Sequence, residues 1–196
     1  MAVLGLTKLL AVNRMLRAIN SLPVTALDPG GSSLQARAEE LLDDVNRTIQ
    51  GRGMYSNTAR SRTYTPVAGA IVVGSDVLKV KAAGADGHRN FTLRGDSLYD
   101  LDADSATFTA AVQIDVTKLI SFESLSPEDK EYITSEAVAE FQRRWRGSPD
   151  QDRYNQENVA KASAYVKNPS VRPGDMPMNP VPASSLVPAA PTAPQR

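Results

Sequence analysis

The acidic stretch Asp100 to Asp104 is the first candidate for chemistry in this chain. It reads DLDAD and resembles the start of a calcium-binding loop. Such a loop needs a glycine at its sixth position and a bidentate acid at its twelfth, where this chain has Ser105 and Ala111. We therefore interpret the stretch as an acidic turn between strands and expect no bound metal.

The remaining catalytic candidates are one histidine and two pairs of acids. His88 lies in GADGHRN, which reads as an exposed turn, and a histidine-based triad or metal site would have to use it. Glu39-Glu40 and Asp43-Asp44 lie in a predicted helix, where adjacent side chains point in different directions and not across a cleft. No phosphate-binding loop has the required spacing. We predict no catalytic residues and no cofactor.

The segment VAEFQRRWRGSP, residues 138–149, places three arginines around the single tryptophan of the chain. Bases stack on aromatic rings and phosphates attract guanidinium groups, so this composition raises the possibility of nucleic-acid binding. Phe141 and Trp145 share one helical face, however, which predicts that Trp145 packs inward. We predict a subunit or lumen contact at the helix end, with DNA contact as the alternative, for Arg143, Arg144 and Arg146.

Charge and composition limit the classes of partner. The 196 residues include 22 basic and 22 acidic side chains, so the formal net charge is zero. A general binder of nucleic acids or membrane surfaces normally has a basic excess, unless its charges are segregated by face or repeated in a ring. The absence of cysteine excludes disulfides and thiolate chemistry. Lys8 and Arg14 interrupt the apolar N-terminal run, which predicts a soluble, non-secreted protein with no membrane partner.

Helical periodicity occurs on both sides of a central segment that lacks it. We predict one helix over about the first 20 residues and a second from about Leu34 to Gln50. A third begins at Ser126-Pro127 and ends at Gly147, and a fourth covers 148 to 168. Apolar residues at steps of three and four predict a core of Leu16, Ile19, Leu41, Val45, Ile49, Ile133, Ala137, Phe141 and Trp145.

Residues 54–122 lack this periodicity and contain short alternating stretches separated by polar turns. The stretches AIVV, VLKVKA, NFTL, SLYDL and AVQIDVTKLISF predict about five strands in an antiparallel sheet. Residues 169–196 contain eight of the 13 prolines, so neither helix nor sheet is expected there. A disordered tail is one interpretation. The other is an extended docking tail that contacts a surface through Val171, Met176, Met178, Val181, Leu186 and Val187.

Together these elements predict an α+β fold. We expect an antiparallel four-helix bundle with an inserted small antiparallel β-sheet domain and an extended C-terminal proline-rich tail. Residues 1–53 and 123–168 would form the two halves of the bundle, residues 54–122 the insert, and residues 169–196 the tail.

The order of these elements resembles the tail tubular protein A family, the head-to-tail adaptors of short-tailed podovirus-type bacteriophages. The resemblance covers roughly residues 7 to 165. Gly53-Met54-Tyr55-Ser56-Asn57 stands where the family usually has Gly-Trp-x-Phe-Asn, so Met54 and Ser56 replace aromatic residues. The other matched residues are Ala11-Val12-Asn13, Leu16, Ile19 and Pro23-Val24, then Ala38, Leu41, Val45 and Gln50, and finally Pro127-Glu128, Ala137, Phe141, Gly147 and Pro149.

The resemblance implies a structural virion protein and not an enzyme, found in the virion tail after assembly in the host cytoplasm. It implies a dodecameric ring that joins the portal protein to a nozzle protein of tail tubular protein B type, attaches tail fibre protein and lets genomic DNA pass. We expect the helices to form the ring and its portal side, and the β insert to face nozzle and fibres. The proline-rich tail would clasp the portal or a neighbouring subunit. The alternatives are a tail-associated cell-wall or polysaccharide hydrolase and a DNA-binding module.

Overall fold

The computed structural model describes residues 5–28, 32–145 and 149–167. Two α-helices, α1 (Lys8–Ala18) and α2 (Ser33–Arg52), precede the strands, and two more, α3 (Pro127–Trp145) and α4 (Pro149–Lys167), follow them. The strands are β1 (Thr58–Tyr64), β2 (Val77–Ala82), β3 (Phe91–Arg94), β4 (Ser97–Asp100) and β5 (Val112–Lys118). The described residues therefore form an α+β fold. Within these ranges, no helix has the length and hydrophobicity that crossing a membrane requires.

Three helices begin at side-chain caps that the local sequence supplies. Thr7, Ser32 and Ser126 each accept a hydrogen bond from the backbone N–H three residues later, at 3.2 to 3.3 Å. Such a bond satisfies a donor that has no partner within the helix. Pro127 occupies the first position of α3, where its missing N–H costs nothing, as the sequence predicts.

Helices α1, α2 and α3 pack against one another around a shared apolar core. Met15 and Leu16 of α1, Leu42 of α2, and Ile133 and Phe141 of α3 are almost fully buried there. Burying a side chain of this size stabilises the fold by about 1.5–3 kcal/mol relative to leaving it exposed. The helical core therefore depends mainly on these three helices.

The predicted antiparallel four-helix bundle is wrong. The helices are interspersed with strands, and within the described residues α4 packs chiefly along α3. The sequence of α4 explains this arrangement, because its described apolar contribution to the helical core is small: Val159, Ala162 and Val166. Tyr154, on the same helix, is 69% exposed. A groove of about 620 Å³ remains open between α3 and α4.

The strands form two antiparallel sheets, where the sequence predicts one. The first sheet has the order β1-β5-β2, and the second is the hairpin β3-β4. A second apolar core, separate from the helical one, lies among the strands and includes Ile71, Leu98, Val112, Ile114 and Val116. Alternate residues of β5 supply this core, as a strand with one buried face requires.

The first strand differs from the prediction. The segment TARSRTY forms β1, although it has no alternation of apolar and polar residues. It lies at a sheet edge, where its side chains are exposed or only partly buried, so burial imposes no pattern on it. The predicted strand AIVV instead makes isolated bridges, between Val67 and Ala70 and between Val72 and Ser97.

Candidate functional site

Two arginines of the segment VAEFQRRWRGSP, Arg143 and Arg144, lie among the described residues at the end of α3. Both form an ion pair with the carboxylate of Glu140. Arg143 Nη2 is 3.2 Å from Glu140 Oε2, and Arg144 Nε is 2.9 Å from Glu140 Oε1. Exposed pairs of this kind contribute about 0.3–0.5 kcal/mol, so they do not prevent the guanidinium groups from turning to another partner. Arg146 lies outside the described residues, as do the six apolar residues of the predicted docking tail, Val171, Met176, Met178, Val181, Leu186 and Val187.

The residues that the sequence assigns to a core lie in or against the helical core. Six are buried: Leu16, Leu41, Ile49, Ile133, Ala137 and Phe141. Three are partly buried and pack against them: Ile19, Val45 and Trp145. The ring centroids of Trp145 and Phe141 are 4.4 Å apart, at an interplanar angle of 31°. The indole ring thus packs on a neighbouring side chain of its own helix.

The carboxylates of the DLDAD stretch have partners in the protein. Asp100 pairs with Arg89 and also accepts hydrogen bonds from two backbone N–H groups of its own loop, at 2.9 and 3.1 Å. The hydroxyl of Tyr99 donates to Asp104 at 2.6 Å. Nowhere in the described ranges do three His, Cys, Asp or Glu side chains form a group suited to a metal ion. The bonds within this stretch hold a turn of the chain.

Electrostatics reinforce this turn. Burial of Asp100 favours a higher pKa, but Arg89 and the two backbone N–H groups outweigh burial, so the pKa of Asp100 lies below its ordinary value. The hydrogen bond to Asp100 in turn raises the pKa of Arg89. The same guanidinium lies 4.9 Å from the centroid of the Phe91 ring. Arg89 therefore connects the end of β4 with the start of β3.

The other catalytic candidates lie on solvated surfaces. His88 is exposed in its turn. Asp43 pairs with Lys8 Nζ at 2.9 Å, and Glu39 accepts from the amide of Gln35 at 2.9 Å. These bonds lie within the surface of α1 and α2, which is typical of ordinary helical acids.

A buried amide network joins the end of α2 to the chain that leaves β5. The side-chain amide of Gln50 donates to the carbonyl of Ile120 and accepts from the Ile120 N–H, both at 2.7 Å. Asn57 Nδ2 donates to the carbonyls of Gln50 and Lys118, at 3.0 and 2.9 Å. Asn57 Oδ1 accepts the N–H of Met54 at 2.7 Å. The network pairs backbone groups on both sides of the point where helix changes to strand.

The network also gives physical roles to the motif Gly53 to Asn57. Gly53 ends α2 with a φ of 91°, a conformation that glycine adopts at little cost. Met54 is buried in the helical core, and the Ser56 hydroxyl donates to Asp129 of α3 at 2.5 Å. The spacing of this motif is the one sequence feature that indicates the junction between α2 and the strands. The buried amides of Gln50 and Asn57 do not recur at a helix or strand period, so they leave no pattern in the sequence.

A basic cleft lies between the end of α2 and the three-stranded sheet. Its volume is about 730 Å³, and four exposed cations line it: Arg52, Arg60, Lys79 and Lys81. Asp115 of β5 and the exposed ring of Tyr55 also line it. The sequence alone does not indicate this cleft, because its residues come from α2, β1, β2 and β5 and meet only in the folded chain.

The described surfaces are suited to assembly with other macromolecules. A groove and a basic cleft lie beside two apolar cores, which the amide network of Gln50 and Asn57 connects. The chain matches the family model of Tail tubular protein over residues 9–175, and it belongs to that family. It is therefore a structural protein of the bacteriophage virion tail. The predicted resemblance to tail tubular protein A is confirmed. No curated protein matches the chain.

Proposed function

We propose that this chain is a head-to-tail adaptor, which forms a ring of twelve copies between the portal and the nozzle protein of tail tubular protein B type. The ring attaches tail fibre protein and gives genomic DNA a passage, and it assembles in the host cytoplasm. The observation that carries the proposal is the family match, which spans every described helix and strand from residue 9 onward. A closed ring also allows a chain of zero net charge to line a charged channel. Each charge that faces the channel is repeated once per subunit around the axis.

The two apolar cores support a division of roles in this adaptor. Residues 1–53 and 123–168 would supply the ring and its portal side, and residues 54–122 would face the nozzle and fibres. Each part has its own buried core, so each can present a surface of defined shape. The amide network at the junction holds their relative orientation, which an adaptor between two different partners requires.

The C-terminal segment is assigned to docking in the same proposal. Residues 169–196 would clasp the portal or a neighbouring subunit through the apolar residues named above. A proline-rich segment loses less conformational entropy on docking than a flexible one of equal length. Arg143, Arg144 and Arg146 would lie at a subunit contact or at the lumen, since their helix end is exposed where it is described.

The test is assembly of the purified chain with its portal protein. Light scattering and sedimentation of the mixture should give a stable complex that contains twelve copies of the chain per portal. Deletion of residues 169–196 should weaken this complex while leaving the unfolding free energy unchanged. A matched control keeps the length and composition of the tail but scrambles its order. Failure of the intact chain to join the portal would refute the adaptor, and unchanged affinity of the deletion would refute docking by the tail.

A further inference from the structure

The basic cleft is lined by four cations and, among the described residues, one carboxylate, that of Asp115. Arg52, Arg60, Lys79 and Lys81 make no ion pair with any described residue. The cleft therefore carries a local positive charge within a chain of zero net charge.

The cations have a regular arrangement because the sheet sets their positions. Lys79 and Lys81 lie two residues apart on β2, opposite Thr117 and Asp115 of β5. Their side chains therefore share one sheet face, about 6.7 Å apart along the strand. Arg60 comes from β1, on the other side of β5, and Arg52 comes from the last turn of α2.

The floor of the cleft reduces the positive charge but does not cancel it. Asp115 is partly buried there, and its Oδ1 accepts the N–H of Ser61 at 2.8 Å. One carboxylate opposes four cations, and hydroxyl groups of Thr58 and Thr117 lie 3.4 Å apart beside it. The cleft thus offers several cations and hydroxyl donors to an extended anion.

We infer that the basic cleft binds the phosphate backbone of duplex DNA, without reading its sequence. The spacing of Lys79 and Lys81 is close to that of neighbouring phosphates on one strand, which lie about 7 Å apart because the backbone winds around the axis as it rises about 3.4 Å per base pair. An acidic surface of a second copy is the competing occupant, but the regular spacing of Lys79 and Lys81 along β2 matches a backbone whose charges repeat regularly better than it matches scattered carboxylates. The inference deepens the proposed function, because it assigns the genome contact to this cleft.

The experiment measures binding of the purified full chain to a short fluorescent duplex as the salt concentration is raised. Each phosphate contact contributes about 0.9 to the slope of log K against log salt, so four contacts give about −3.6 per bound subunit. Changing both Lys79→Ala and Lys81→Ala should reduce the slope by about half. The control pair Arg37→Ala and Arg47→Ala removes the same charge from exposed positions on α2 and should leave the slope unchanged. A second pair, Lys79→Gln with Lys81→Gln, removes the same charges but keeps long polar side chains. Its slope should also fall by about half while its thermal unfolding stays unchanged, which shows that the loss of binding is not a loss of folding.

The outcomes separate this inference from the proposed function, because assembly is measured on the same samples. Assembly with the portal but no salt-dependent duplex binding, or equal slopes for the cleft and control pairs, would overturn the inference alone. Loss of self-association with unchanged DNA binding in the cleft pair would assign the cleft to a neighbouring copy, and would overturn it also. Duplex binding that depends on Lys79 and Lys81 supports the inference even if no ring forms.

Discussion

Replacing Gln50 with methionine should weaken the connection between the helical core and the strands. Methionine has nearly the same length and, like glutamine, no branch at Cβ or Cγ, so the change nearly preserves volume while removing every hydrogen bond of the amide. Gln50 is fully buried, and its amide bonds both backbone groups of Ile120 and the side chain of Asn46.

The magnitude follows from the groups left without partners. A buried donor or acceptor without a partner costs about 1–3 kcal/mol, and three such groups remain in Gln50→Met. Ile120 is only partly buried, so water can satisfy part of this loss. We expect the free energy of unfolding to fall by about 3 kcal/mol, a large part of the 5–15 kcal/mol of an ordinary domain.

Urea denaturation measures this change, and two optical signals test its location. Fluorescence of Trp145 reports on the helical core, whereas far-ultraviolet circular dichroism reports on helices and strands together. The midpoint should fall by roughly 1 M urea. The control is Gln35→Met, on the same helix and also buried, whose amide bonds the partly exposed Glu39 at 2.9 Å. It should cost less than about 1 kcal/mol, because Glu39 can bond to water.

Equal destabilisation by the two substitutions would refute the importance of the junction. A loss below about 1 kcal/mol in Gln50→Met would do the same, since it would mean that Ile120 finds other partners. A fluorescence transition that separates from the circular dichroism transition would indicate that the cores unfold independently once the network is removed.

Three further predictions concern the two cores and the helix end. Asp100→Asn should lower the unfolding free energy by about 2 kcal/mol near neutral pH. Because the folded pKa of Asp100 is lowered, this stabilisation is present above the unfolded value of about 3.9 and is lost as pH falls further, so urea midpoints of the two proteins should converge at acidic pH. Phe141→Ala should cost about 3–5 kcal/mol in urea denaturation, whereas Tyr154→Ala, at a 69% exposed position, should change stability by less than about 0.5 kcal/mol. Arg143→Ala combined with Arg144→Ala should change monomer stability by less than about 1 kcal/mol but weaken assembly measured by light scattering; unchanged assembly would remove these arginines from the subunit contact.

The helices are predictable from sequence because capping residues and apolar periodicity are local patterns, which can be recognised without knowing the rest of the fold. Ser126 and Pro127 mark the start of α3, and apolar residues at four-residue steps mark its buried face. The packing of the helices is harder to predict, because the number of helices does not reveal how much apolar surface each one buries. Helix α4 contributes few apolar residues to the helical core. It therefore packs along α3 and does not complete a four-helix bundle.

The sites depend on contacts that no local pattern encodes. Strand β1 has no buried face, so its sequence lacks alternation, and it becomes a strand because β5 pairs with it. Gln50 and Asn57 are polar residues whose burial is stable only with partners supplied from residues 118 and 120. The cations of the basic cleft are likewise unremarkable along the chain and converge only after the sheet forms.

The symmetry of the assembled particle tests the central claim most directly. Electron microscopy of the purified chain mixed with its portal protein should give end-on views of a ring with twelve copies of this chain, stacked coaxially on the portal. A chain that stays monomeric under these conditions, or that binds the portal without forming a closed ring, would contradict the adaptor.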